Sequence, residues 1–175
     1  MSVIFETDRL IFRDWEKPDT PPFVEMCADP KVMEFLSKPL TQHEALTTIN
    51  RIQSHFKKNG FGLYAVEKKA TKRFIGFIGF MIPNFEHYFT PCVEIGWRIQ
   101  STEWNMGYAT EGATACLRFG FSELGFKKIH SFTSVRNLAS QRVMQKIGLN
   151  RKGIFYHPML PVDHSLSEHI LYCTE

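Results

Sequence analysis

Two stretches of the chain hold groups arranged for chemistry. The first runs from Glu94 to Glu111, an extended segment ending at Ile99, a turn, then Trp104-Asn105-Met106-Gly107-Tyr108-Ala109 leading straight into a helix. The first amides of a helix have no intrahelical partner and carry the positive end of its dipole. A loop that sets Gly107 and the small Ala109 there can surround a diphosphate with backbone donors. The plainer reading is an ordinary strand-to-helix connection with glycine at its turn. In the extended segment Glu94, Gly96 and Arg98 share one face, so Glu94 can act as a general base or as a structural carboxylate paired with Arg98. The second stretch begins at Asn137. Asn137, Ser140 and Met144 fall at i, i+3 and i+7, one helical stripe, and Asn137 and Ser140 can cap the helix, meet a ligand, or do both. His157, Asp163, His164 and His169 match no zinc spacing, so no metal is expected, and His130 reads as a core histidine with its hydrogen bonds satisfied.

These residues need a scaffold. The 175 residues fit one domain, 1–175, and 43% hydrophobic with 14% aromatic content excludes intrinsic disorder. The net charge of +3 is spread along the chain, which disfavours nucleic acid and suits a phosphate-bearing small molecule. No apolar run approaches the ~18 residues of a membrane span and no basic-then-apolar leader opens the chain, so a cytoplasmic protein is expected. Cys27, Cys92, Cys116 and Cys173 lack paired spacing and read as reduced packing residues.

The periodicities give mixed α and β elements around one twisted sheet. Residues 6–15 read as a first strand at a sheet edge, followed by helical pieces near 21–28 and 30–36. Thr41 and Glu44 form a capping box that starts a helix over 41–58 with Ala45, Ile49, Ile52 and Phe56 on its buried face. Strands over 62–67 and 73–82 flank the turn 68–72, and the second is apolar on both faces, as a central strand must be. Residues 92–99 form a strand with Val93, Ile95, Trp97 and Ile99 on one face. A helix over 109–123 follows, then a strand over 128–135, a short helix from Asn137 with Ala139, Val143 and Ile147 toward the core, and two last strands near 151–155 and 168–173.

Over nearly its whole length the sequence resembles the GNAT superfamily of acyl-CoA-dependent N-acetyltransferases, and within it the RimJ/RimL-like branch. The resemblance lies in Thr7-Asp8-Arg9-Leu10, Asp29-Pro30-Lys31-Val32-Met33, Gly60-Phe61-Gly62, Phe74-Ile75-Gly76-Phe77-Ile78-Gly79 and Val93-Glu94-Ile95-Gly96-Trp97. It continues in Gly107-Tyr108-Ala109-Thr110-Glu111, in Asn137 with Ser140, and in Val143 to Gly148. It implies a GNAT fold of class α/β (α+β): a mostly antiparallel mixed sheet of six to seven strands with splayed central strands and about four helices. Acetyl-CoA is the implied cosubstrate and an amine the implied acceptor, such as a protein N-terminus, a small amine or an amino acid, in a monomer or homodimer. Backbone groups of Trp97, Arg98 and Ile99 would receive the pantetheine arm, and Trp104, Asn105, Met106, Gly107, Tyr108, Ala109 and Thr110 the pyrophosphate, with Asn137 beside the coenzyme. The family's loop commonly has a basic residue and a second glycine where this chain has Met106 and Asn105. Many relatives carry a Tyr acid where this chain has Met144, and Ser140 resembles the serine given that role in RimL-like enzymes, a role that an ordered water can also fill. Glu94 would then be the base, and an amide near Ile95 would stabilise the oxyanion. The competing reading is an acyl-CoA-binding sensor or scaffold of the same fold that no longer catalyses.

Overall fold

The capping box forms as its residue types demand. Thr41 Oγ1 accepts from the Glu44 amide and the Glu44 carboxylate accepts from the Thr41 amide, starting α3 (Gln42–Asn59), which Gly60 ends in a left-handed conformation. The computed structural model describes residues 2–175. Helices α1 (Thr20–Ala28) and α2 (Pro30–Met33) precede α3, and α4 (Tyr108–Ser122) and α5 (Leu138–Lys146) follow it. The strands are β1 (Val3–Glu6), β2 (Leu10–Arg13), β3 (Leu63–Lys68), β4 (Arg73–Met81), β5 (Val93–Ile99), β6 (Ile129–Ser134), β7 (Asn150–Tyr156) and β8 (Glu168–Cys173).

All eight strands form one sheet in the order β1-β2-β3-β4-β5-β6-β8-β7. The sheet is antiparallel throughout except at β5–β6. It has more strands than the six to seven expected, because residues 3–13 make a hairpin and not a single strand. The turn at 7–9 contains neither Gly nor Pro and is held by Thr7, whose hydroxyl accepts from the Leu10 amide. The edge position expected for the 6–15 segment therefore falls to β1, and β2 lies one strand in. Its imperfect alternation has a cause: Arg13 is buried, gripped by Asp19 at 2.7 Å through both Nη atoms and by Glu67 at 3.0 Å through Nε.

Two apolar layers sandwich the sheet. On one face α4 and α5 cover Leu10, Phe12, Ile78, Ile95 and Ile129; on the other α1 and α3 cover Leu63, Ala65, Phe74 and Phe77. The α5 face is the expected one at Val143 and Ile147, which pack against the core, and differs at two positions. Ala139 is exposed and Met144, at 2% exposure, is the fully buried residue, with Val143 and Ile147 beside it. No described helix is long and apolar enough to cross a membrane.

Candidate active site

The two parallel strands part almost as soon as they meet. β5 and β6 pair only at Val93 with Ile129 and Glu94 with His130. Past that point a side chain replaces the ladder, as the buried Ser131 hydroxyl donates to the Ile95 carbonyl at 2.9 Å. Strand alternation turns the Trp97 N–H and C=O the same way as those of Ile95, into the gap between the strands, while Arg98 turns its backbone toward β4. The next carbonyl facing the gap, that of Ile99, accepts from the Trp104 indole at 2.8 Å. Trp97 thus offers the backbone pair that an extended ligand arm could use as if it were a neighbouring strand.

The helix after each parting strand begins at the same end of the gap. At α4 the first helical bond runs from the Glu111 amide to the Gly107 carbonyl at 3.0 Å, and the amides of Gly107, Tyr108, Ala109 and Thr110 have no hydrogen-bond partner among the described residues. Gly107 sits at φ 81°, and Asn105 at φ 61°. Asparagine tolerates the left-handed region better than other residues with a Cβ, so Asn105 performs the conformational task of the glycine missing from this loop. The alternation of left-handed and ordinary residues turns successive amides to one side, an anion-binding concavity. These donors suit a diphosphate.

Brackets hold that loop from outside it. Arg9 donates to the Met106 carbonyl at 2.9 Å and to Glu111 at 2.6 Å, and Thr7 donates to Glu111 at 2.6 Å. Tyr108 is buried with the Arg9 guanidinium over its ring at 4.6 Å, so its side chain packs the loop's base. Asp29 caps α2 at the Lys31 amide and accepts from the Ser101 hydroxyl at 2.5 Å, fixing where the loop leaves β5. The Thr7-to-Leu10, Asp29-to-Met33 and Gly107-to-Glu111 motifs therefore include the struts of one loop. The Arg9 contact was beyond sequence reasoning, being made across 97 positions.

Half-buried Glu94 stands apart from the buried carboxylates Asp19 and Glu67. Its expected partner, Arg98, instead donates to Cys27 Sγ at 3.2 Å and lies over the Phe77 ring. No hydrogen bond or ion pair reaches the Glu94 carboxyl among the described residues, and burial alone pushes its pKa up to about 8. Gly96 keeps the space beside it open: a Cβ there would come no closer than 4.0 Å to Glu94 Oε1 and meet nothing else. Ser140 is half-buried in the first turn of α5, its amide accepted by Asn137 Oδ1 and its hydroxyl free of protein partners among the described residues. Asn137 also donates to Thr133 Oγ1 at 3.1 Å, so its side chain is engaged at both ends. Met144, placed on the same stripe by spacing, turns into the core and not toward the gap.

The loop before β5 and the strands beyond β6 build a wall of rings. Phe85 packs on Phe132 and His157, and Phe89 on His130 and Phe155. Burial lowers the pKa of His130, His157 and His169, the last to about 4, so these imidazoles are neutral at pH 7. His130 is buried as expected but not satisfied: its Nδ1 has no hydrogen-bond partner among the described residues.

This geometry has relatives. The acetyltransferase (GNAT) domain family matches residues 9–150, and the chain belongs to it. It is 32% identical over 150 residues to the uncharacterized N-acetyltransferase YnaD of Bacillus subtilis, covering 85% of this chain and 84% of that one. A GNAT-family acetyltransferase from Bacillus anthracis superposes with a TM-score of 0.79 at 26% identity, covering 99% of this chain and 97% of the other. RimL, a ribosomal L7/L12 α-N-protein acetyltransferase solved with coenzyme A, gives a TM-score of 0.79 over 98% of this chain and 97% of its own; at 14% identity that likeness is one of fold. The protein is an acyltransferase with acetyl-CoA as its cosubstrate.

Proposed function

We propose that the protein transfers an acetyl group to a primary amine by direct attack in a ternary complex, with Glu94 as general base. The observation that carries this reading is an unpaired, desolvated carboxylate one residue before the point where β5 and β6 part, beside the open space at Gly96. Acetyl-CoA supplies the acyl group as a reactive thioester. The amides of Gly107, Tyr108, Ala109 and Thr110 hold its diphosphate, Trp97 aligns its arm, and Asn105 gives the loop its shape. An α-amine has a reference pKa of ~7.7–8.0, so a carboxylate near 8 is matched to it and little driving force is wasted. Glu94 takes the amine's proton, directly or through one water, as nitrogen bonds to the acyl carbon. Ser140 donates a hydrogen bond to the departing thiolate, whose reference pKa of ~8.5 asks for little help and which takes its proton from water. The acceptor class includes protein N-terminal α-amines as well as small amines and amino acids.

Free thiol released from acetyl-CoA in the presence of an amine panel is the direct test. Glu94→Gln is expected to lower kcat about a hundredfold with coenzyme affinity unchanged, and to remove the part of the rise in rate between pH 7 and 9 that ionisation of Glu94 imposes, leaving the part set by the acceptor amine. A variant as active as wild type from pH 6 to 9 removes Glu94 from the reaction. Thermal stabilisation by coenzyme A with no thiol released for any acceptor overturns catalysis altogether.

A further inference from the structure

The sheet face that carries Glu94 has two unlike halves. Over β3 and β4 it is closed by α1 and α3. Toward β6, β8 and β7 it is covered by the ring-rich loop before β5, and there a cavity of about 810 Å3 opens. Tyr88, Phe89 and His130 wall it, and Lys127, Lys128 and Lys152 line it as well. Its size falls in the ~300–1,000 Å3 range of small-molecule sites.

The charge around this cavity is one-sided. No Asp or Glu lines it. Lys127, Lys128 and Lys152 form no ion pair among the described residues, whereas Lys38, Lys68 and Lys69 each hold a carboxylate. Lys128 lies near enough to His130 for its charge to add to burial in lowering that pKa. The cavity borders the proposed base through its neighbours, without Glu94 itself in the lining. Cys92 lines it and feels the Glu94 charge, and His130 pairs in register with Glu94. Three exposed, uncompensated cations around one cavity attract an anion and repel a polycation.

We infer that this cavity receives the acceptor and selects a small amine carrying an anionic group, carboxylate or phosphate, on the same molecule. The lysines hold the anion, the rings of Tyr88, Phe89 and His130 pack the body, and the amine points inward to Glu94. This inference rests on the acetyl-transfer reading for its direction, though not for the binding itself.

Matched pairs test it: phenylalanine against phenethylamine, phosphoethanolamine against ethanolamine, with spermidine and an acidic peptide as further acceptors. Thiol release is measured for each, and calorimetry follows binding of phenylalanine and phosphoethanolamine to the coenzyme A complex. The acidic member of each pair is expected to show at least about tenfold higher kcat/KM at low salt, the ratio shrinking as salt screens the lysines. In the triple variant Lys127→Gln, Lys128→Gln, Lys152→Gln, with its melting temperature as a check of folding, the ratio is expected to fall to about twofold or less. Equal use of both members, a preference for spermidine or for the peptide, or a preference that survives the triple variant overturns the inference and leaves acetyl transfer standing. Lysine-dependent binding of the acidic amines without thiol release has the opposite meaning: the site stands and the transfer reading falls. Neither binding nor release overturns both.

Discussion

Glu67 and Glu94 lie two strands apart in one sheet, and the protein treats them in opposite ways. Glu67 is 6% exposed and meets the Arg13 guanidinium, whose other side grips Asp19. Every charge in that cluster faces an opposite one, and Arg13 is held still more firmly protonated than usual. Glu94 is half-buried with no counter-charge among the described residues, and its proton affinity rises instead. The contrast extends to the surroundings. The β2–β3 side is a closed polar network, whereas the β5–β6 gap keeps a carboxyl, a serine hydroxyl, a backbone pair and four helix amides unused. Polar groups without protein partners, gathered in one place, are what the proposed ligand site requires.

Breaking the closed network should have the largest effect. Asp19→Ala leaves the Arg13 charge buried with half its partners and is expected to cost about 3–5 kcal/mol in urea unfolding, with little change in activity per folded molecule. Filling the open site comes next: Gly107→Glu puts a negative charge among the amides and strains a backbone at φ 81°, and calorimetry should find coenzyme A affinity reduced by about a hundredfold or more. Glu94→Gln sharpens the contrast through stability. A carboxyl whose folded pKa is near 8 against an ordinary 4.5 binds its proton more tightly when folded, so wild-type stability falls as pH rises from about 4.5 to 8. Thermal melts should show the variant matching wild type below pH 4.5 and exceeding it by roughly 2–3 kcal/mol at pH 8.5, after allowance for partial solvent access. The smallest effect belongs to Asn105. Asn105→Ala should cost about 1 kcal/mol and raise the KM for acetyl-CoA severalfold, while Asn105→Gly leaves that KM unchanged.

Much of this fold could be read from local signals. The capping box at Thr41, the apolar run of β4 and the alternation of β5 report short-range physics, and each element formed within a residue or two of its expected bounds. The β1–β2 hairpin stayed hidden because its turn uses a threonine hydroxyl and no glycine or proline. The buried face of α5 was misread because Ala139 and Met144 fit competing stripes, and only packing against β6 decides between them. At the site, spacing put Glu94 and Arg98 on one face but could not show that Arg98 reaches Cys27, 71 positions away, leaving the glutamate alone. A missing glycine at 105 looked like a defect in the loop until the backbone there proved left-handed. Such long-range pairings leave no local trace.

The brevity of the β5–β6 ladder has a mechanical side. The sheet is two leaves, β1 to β5 and β6-β8-β7, sewn edge to edge by a seam of two paired positions and one serine hydroxyl. An arm lying along Trp97, as proposed, would lengthen that seam, so that cosubstrate and scaffold would stiffen each other and release of the spent coenzyme would amount to unpicking a strand from the sheet.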